Sequence, residues 1–178
     1  SEEDLKAAEL SEDGKVDYGA LAQSRDALLR KAFSQARDVE GEKVSAWANE
    51  HFWVKEYAIF KALHIHFNAP WFNWPDEALR RHEWFAVQAA KEALADEVAY
   101  QIHVQYWFFT QWAALKSYVN SLGIQIIGDM PIYVSLDSSD VWAHPELFQL
   151  DEENKPTAIA GCPPDAFSAD GQMWGNPL

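Results

Sequence analysis

The run Ile124-Gln125-Ile126-Ile127-Gly128-Asp129-Met130-Pro131-Ile132-Tyr133-Val134 marks a change of pattern in the chain. Three isoleucines in four positions, followed by a glycine, read as a short buried strand over roughly 124–128. Immediately before it lies the longest periodic stretch of the sequence. Leu94, Val98, Ile102, Phe109, Trp112, Leu115, Val119 and Leu122 recur at spacings that keep one helical face apolar over several turns. Gly123 stands where a left-handed residue would stop that helix. A helix, a tight glycine and a strand make half of an alternating unit, so the predicted fold class is α/β. In an α/β barrel the residues at the carboxyl ends of strands line the active face. Asp129 occupies such a position, where it can accept hydrogen bonds from hydroxyl groups or cap the following turn.

Upstream, the sequence predicts a mainly helical region over residues 1–122. Residues 1–17 are polar, with Gly14 as a breaker, and read as loop or a short frayed helix. From Tyr18 an apolar stripe of Leu21, Leu28, Leu29, Ala32, Phe33 and Ala36 defines a helix that Gly41 is expected to end. A second helix is expected over 42–63. It carries apolar residues on both faces, Phe52, Trp53, Ile59 and Phe60 among them, and so should be buried on more than one side. Asn68-Ala-Pro-Trp-Phe-Asn-Trp-Pro75 reads as a turn, because each proline restricts the residue before it; a short helix near 76–81 follows. Downstream, residues 123–178 hold the strand and a loop-rich segment. A hairpin is expected with arms at 147–150 and 157–160. Residues 161–178 show no periodicity, with three glycines and three prolines. Loops of this length are usually functional.

Composition narrows the function. The chain has 178 residues, 48 % of them hydrophobic, enough for a real core. Its formal net charge of −14 repels polyanions, so neither nucleic acid nor an anionic membrane surface is expected as a partner. Nine tryptophans admit two explanations, core filling and a sugar site whose rings cover pyranose faces; composition favours the first. The single cysteine, Cys162, cannot pair within the chain and fits a reducing cytoplasm. No signal peptide opens the sequence and no apolar run is long enough to span a bilayer, so a cytoplasmic protein is expected. The first residue is Ser1 rather than Met, and Leu178 falls inside the loop-rich segment; both features suggest an internal piece of a longer protein.

Catalytic signatures are sparse. The sequence has no Gly-rich phosphate cradle, GxSxG, HExxH or paired CxxC, and no cofactor is implied. His64 and His66, two apart on a helix, point in different directions and make poor metal ligands; no metal site is expected. Cys162, beside Pro163, has no histidine near it in sequence and reads as structural.

The stretch Ile127-Gly-Asp-Met-Pro-Ile-Tyr-Val-Ser-Leu-Asp-Ser-Ser-Asp-Val-Trp142, with Pro145-Glu-Leu-Phe148, resembles the third-strand region of amylomaltases, the family-77 glycoside hydrolases. Ala160-Gly-Cys-Pro-Pro-Asp165, Phe167-Ser168 and Gly171-Gln-Met-Trp-Gly-Asn-Pro177 resemble that family's glucan-binding loop. Val16-Asp-Tyr18, Trp71-Phe-Asn-Trp-Pro75 and Gln111-Trp112 are similar to its preceding helical part. The resemblance implies a (β/α)8 barrel with helical insertions, and transfer of α-1,4-glucan segments between maltooligosaccharides with retention. It makes Asp129 the acid of the first motif shared across the wider clan, and places Asp165, Phe167, Trp174 and Asn176 along the glucan path. Phe167 and Trp174 would stack on glucose rings, and Asp165 and Asn176 would hold hydroxyls. Ala166 departs from the tyrosine expected there, removing one aromatic platform, and Asp170 replaces a more usual threonine.

Retaining transfer needs a carboxylate nucleophile and a separate acid/base roughly 5–5.5 Å apart. In this family they lie on later strands, in an Arg-x-Asp motif and a Glu-Asp pair. Neither occurs after Gly128, so no catalytic residue is assigned and the chain by itself is expected to be inactive and poorly stable. Two other readings stay open at this point. One is a non-catalytic carbohydrate-binding module using the Trp-containing loop; the other is a helical interaction domain whose rings are all core.

Overall fold

The computed structural model describes residues 2–7 and 15–178. A short helix α1 (Glu2–Ala7) precedes the long α2 (Tyr18–Glu50), α3 (Trp53–Phe67), α4 (Glu77–Arg80), α5 (Trp84–Ala93), α6 (Ala95–Ser121) and the single turn α7 (Ser139–Ala143). Two strands, β1 (Ile159–Cys162) and β2 (Gln172–Pro177), close the sequence. The expected helical character before Gly123 is therefore present; the expected breaker at Gly14 lies outside the described residues.

Asp17 caps α2 by accepting a hydrogen bond from the Ala20 amide at 2.9 Å. The helix then runs 33 residues, straight through Gly41, where a break was expected. Glycine ends a helix only by adopting a left-handed backbone, and Gly41 stays helical. The turn falls instead at His51, whose amide donates to the Trp47 carbonyl at 3.2 Å while its ring stacks on the Trp47 indole at 4.3 Å. A β-carbon added at Gly41 would meet nothing within 4 Å. Gly41→Ala should therefore raise stability by about 0.5–1 kcal/mol, read as a higher melting temperature; a lower one would mean that the helix does break there.

α2 and α6 lie side by side and in step. Arg30 forms a forked pair with Glu97, at 2.7 and 3.0 Å, and Glu40 accepts from the Trp107 indole at 2.7 Å. Both pairs are 67 residues apart in sequence, so the helices run parallel at this contact. The Tyr100 hydroxyl donates to Asp26 at 2.7 Å, and the Arg30 guanidinium lies 4.2 Å from the centre of the Tyr100 ring.

α3 is buried along Val54, Ala58, Ile59, Phe60, Ala62 and Leu63, as its two apolar faces predict. Phe52 departs from that expectation: it sits in the turn before α3 and is 86 % exposed. The core gathers Ile59, Phe60 and Leu63 against Trp71, Trp74, Leu79, Val87, Val141 and Trp142. A buried indole N–H left unpaired would be costly, and all three are satisfied by backbone carbonyls. Trp71 donates to Leu136 at 2.7 Å, Trp74 to Ala69 at 3.0 Å and Trp142 to Leu79 at 2.8 Å. The turn around Pro70 and Pro75 is thus held by its own rings. Glu56 ties α3 to this region by accepting from His82 at 2.9 Å and Lys91 at 3.0 Å. Those two donors, His82 first, hold its carboxyl down at about 2.

The strand expected over 124–128 is not formed. Ile124, Ile126 and Ile127 are exposed, and among the described residues no strand lies alongside them. A parallel strand has no stable backbone pairing without neighbours. The terminal half of α6 is bare for the same lack of a covering layer: Trp112, Leu115, Tyr118 and Leu122 all face solvent. Gly123, at φ +77°, makes the predicted helix stop. The hairpin expected over 147–160 forms in a short version. An antiparallel bridge joins Leu150 and Pro156, and the Thr157 amide donates to the Gln149 carbonyl and the Asp151 amide to the Lys155 carbonyl, each at 2.8 Å. The Asp151 carboxylate holds the turn by accepting from the Glu153 and Lys155 amides, each at 2.9 Å. The true ribbon is β1 with β2, in the segment where the sequence shows no periodicity.

Candidate functional site

The β1–β2 ribbon is antiparallel, with Gly161 opposite Met173 and Cys162 opposite Gln172, and an irregular register between Ile159 and Gly161. Glycine placement makes it possible. A β-carbon on Gly161 would collide with the Gln172 carbonyl, and one on Gly171, at φ +73°, would stand 2.5 Å from the Cys162 carbonyl oxygen. These glycines were the legible signal of the ribbon; side-chain alternation is absent because Met173 and Trp174 are both exposed.

The loop between the strands is tied by Asp165. Its Oδ1 accepts from the amides of Phe167 and Ser168, each at 2.8 Å, while Ser168 Oγ donates to the Gly171 carbonyl at 2.6 Å. Asp165 therefore organises the loop, a role the sequence did not disclose. The result is a fixed tip that holds Phe167 out, 96 % exposed.

Trp174 and Asn176 join this ribbon to the 128–134 segment. The Trp174 ring lies 5.9 Å from that of Tyr133, and Asn176 Nδ2 donates to the Val134 carbonyl at 2.8 Å. Trp174 is itself about half exposed, and its Nε1 donates to Gln172 at 2.9 Å. Asp129 lies in the exposed stretch leading into Tyr133 and makes no side-chain hydrogen bond among the described residues. The structure thus links Trp174 and Asn176 to the strand-end motif through Tyr133 and Val134. Asp165 and Phe167 sit at the ribbon's far tip, and Asp129 reaches the others only along the chain.

A second tie anchors the same segment to the helices. His64 Nε2 lies 2.8 Å from Asp137 Oδ2, and Asp137 Oδ1 accepts from the Trp71 amide at 3.2 Å. His64 thus has a carboxylate partner that spans 73 positions of sequence, invisible to local reading. His66 points elsewhere, against Phe67. Among the described residues no group of three or more His, Cys, Asp or Glu could hold a metal ion, and no helix is long and apolar enough to cross a membrane.

The fold and site together describe a helical scaffold presenting a rigid, glycine-dependent ribbon edged with aromatic rings. The family model described as 4-alpha-glucanotransferase matches residues 1–178. The chain is 50 % identical over 171 residues to a 4-alpha-glucanotransferase of Thermus thermophilus, covering 93 % of this chain and 34 % of that protein. It is 43 % identical over 180 residues to one of Streptococcus pneumoniae, covering 98 % and 35 %. Among solved structures, an amylomaltase from Streptococcus agalactiae in complex with acarbose matches with a TM-score of 0.92 at 42 % identity, over 100 % of this chain and 37 % of that one. The chain belongs to the 4-alpha-glucanotransferase family, and it spans about a third of the length of these relatives.

Proposed function

We propose that residues 1–178 form the glucan-holding part of a cytoplasmic 4-alpha-glucanotransferase that moves α-1,4-glucan segments between maltooligosaccharides with retention. In this reading residues 124–128 become a strand of a (β/α)8 barrel once neighbouring strands flank them, and Asp129 then stands at its carboxyl end. Phe167 and Trp174 stack on glucose rings, while Asp129 and Asn176 hold hydroxyls. Asp165 contributes by fixing the loop that carries Phe167. The single observation that carries the proposal is the junction of the two motif blocks, Trp174 on Tyr133 and Asn176 on Val134. It ties an exposed aromatic ring to the segment that follows the strand-end acid. A purely structural helical domain would leave no role for Phe167 and Trp174, both held outward by an ordered ribbon.

The test is a chimaera in which residues 1–178 replace the matching third of the Thermus thermophilus relative. It should disproportionate maltotriose, and Trp174→Ala within it should lower kcat/KM about tenfold, equivalent to roughly 1.4 kcal/mol. An active chimaera indifferent to Trp174→Ala and Phe167→Ala would remove the ribbon from the glucan path.

A further inference from the structure

A cleft of about 380 Å³ opens between the start of α3 and α7, within the size range of roughly 300–1,000 Å³ typical of small-molecule sites. Phe52, Trp53 and Tyr57 form its aromatic wall, and Ser139, Asp140 and His144 its polar one. Asp140 and His144 also line the neighbouring cavity, of similar volume, that runs behind Tyr133 to Pro177. The two spaces therefore share part of a wall, and the second of them reaches the ribbon at Pro177.

Two rings of the aromatic wall are packed in place. Trp53 packs edge-on against Trp47 at 6.4 Å and Tyr57 at 6.1 Å, and lies 5.5 Å from Phe109. Phe52, by contrast, is committed to nothing at 86 % exposure. Opposite these rings, the Ser139 hydroxyl and the Asp140 carboxylate make no hydrogen bond among the described residues. His144 uses only Nδ1, 3.3 Å from Glu146. Glu56, which also lines the cleft, has its two oxygens taken by His82 and Lys91. Flat apolar rings facing unspent hydroxyl, carboxylate and imidazole groups suit a ligand with apolar faces and many hydroxyls. The open carboxylate of Asp140 and a net charge of −14 disfavour an anion.

We propose that the Phe52–Trp53–Tyr57 cleft is a second oligosaccharide site, which binds α-1,4-glucan apart from the ribbon, with Asp140 and His144 on the wall it shares with the neighbouring cavity. The α-glucan specificity rests on the function proposed above; the cleft as a carbohydrate site does not.

The experiment is ¹⁹F NMR of residues 1–178 labelled with 5-fluorotryptophan and titrated with maltoheptaose, the Trp53 and Trp174 signals being assigned by substitution to Phe. The Trp53 signal should shift on titration, in the wild-type chain and equally in Trp174→Ala. Phe52→Ala, which removes an exposed ring and leaves the core alone, should weaken the Trp53 response at least about fivefold while leaving that of Trp174 unchanged. Cellotetraose should move neither signal. A Trp174 response without a Trp53 response overturns this inference and leaves the proposed function standing. A Trp53 response without one at Trp174 supports the cleft and refutes the ribbon. Silence at Trp53 under all conditions, or equal shifts with cellotetraose, overturns it too.

Discussion

Residues 1–178 incubated with maltotriose are expected to release no glucose above a buffer control. A retaining transfer passes through a covalent glycosyl intermediate, and so needs a carboxylate nucleophile with an acid/base facing it across the scissile bond. The Arg-x-Asp and Glu-Asp motifs that carry these groups in the family are missing after Gly128. The acids that are present at the site do not substitute. Asp165 Oδ1 is held by two backbone amides, which fixes it as a loop anchor. Asp129 stands on an exposed segment, open to water, where glycosyl transfer has no protection from hydrolysis. The measurement is glucose release by protein purified from a host lacking its own disproportionating enzyme. Activity that survives such purification and scales with protein concentration would show that a carboxylate pair within these residues is sufficient. Activity regained only in the chimaera described above would place the chemistry in the remaining two thirds of the relatives.

How far the sequence led depends on the range over which each element gathers its interactions. The helices were legible because apolar periodicity is local: α3, α6 and the α4 turn after Asp76 all follow from it. The break between α2 and α3 was misplaced, from His51 to Gly41, because glycine is a permissive residue rather than a stop signal. What ends α2 is the His51 ring folding back on Trp47. The expected strand at 124–128 and the unexpected ribbon at 159–177 are two sides of one cause. Strands take their hydrogen bonds from elsewhere in the chain, so β-branched content at Ile124–Gln–Ile–Ile127 cannot by itself make one. Gly161 and Gly171 let two strands of poor alternation approach closely. The candidate site divides the same way. Asp129, Asp165, Phe167, Trp174 and Asn176 were picked out by resemblance to a family, and the described contacts bring Trp174 and Asn176 to the strand-end segment. The Asp137 tie to His64 and Trp71 was beyond sequence reading, since its partners are 73 and 66 positions away. Of the nine tryptophans, three are fully buried and three more are half-buried, so core filling accounts for most of them. Trp84, Trp112 and Trp174 are the exposed ones, and of these the candidate site uses Trp174.

Trp142→Ala is expected to cost more stability than any other single truncation at the helical core. Trp142 is fully buried on α7, and its ring lies 5.5 Å from Trp74, 5.8 Å from Phe60 and 4.4 Å from His82. It is the point where the short α7, which follows the strand-end motif, is fastened to α3 and to the proline turn. Removing so large a buried ring typically costs about 3–5 kcal/mol in lost transfer and cavity terms. The Leu79 carbonyl, which accepts from the Trp142 indole at 2.8 Å, would lose its partner as well, a further penalty of order 1–3 kcal/mol unless water enters the cavity. Against a usual domain stability of about 5–15 kcal/mol, that is enough to unfold much of the population. Trp142→Phe keeps a ring in the site but not the N–H donor, and should fall between the two extremes. Phe85→Ala, at a position 83 % exposed, should stay within about 0.5 kcal/mol of the parent. Urea unfolding followed by far-ultraviolet circular dichroism gives the order directly. If Trp142→Ala proved no more damaging than Phe85→Ala, α7 would not be fastened by its tryptophan, and the packing that sets Asp140 and His144 between the two cavities would have to come from elsewhere.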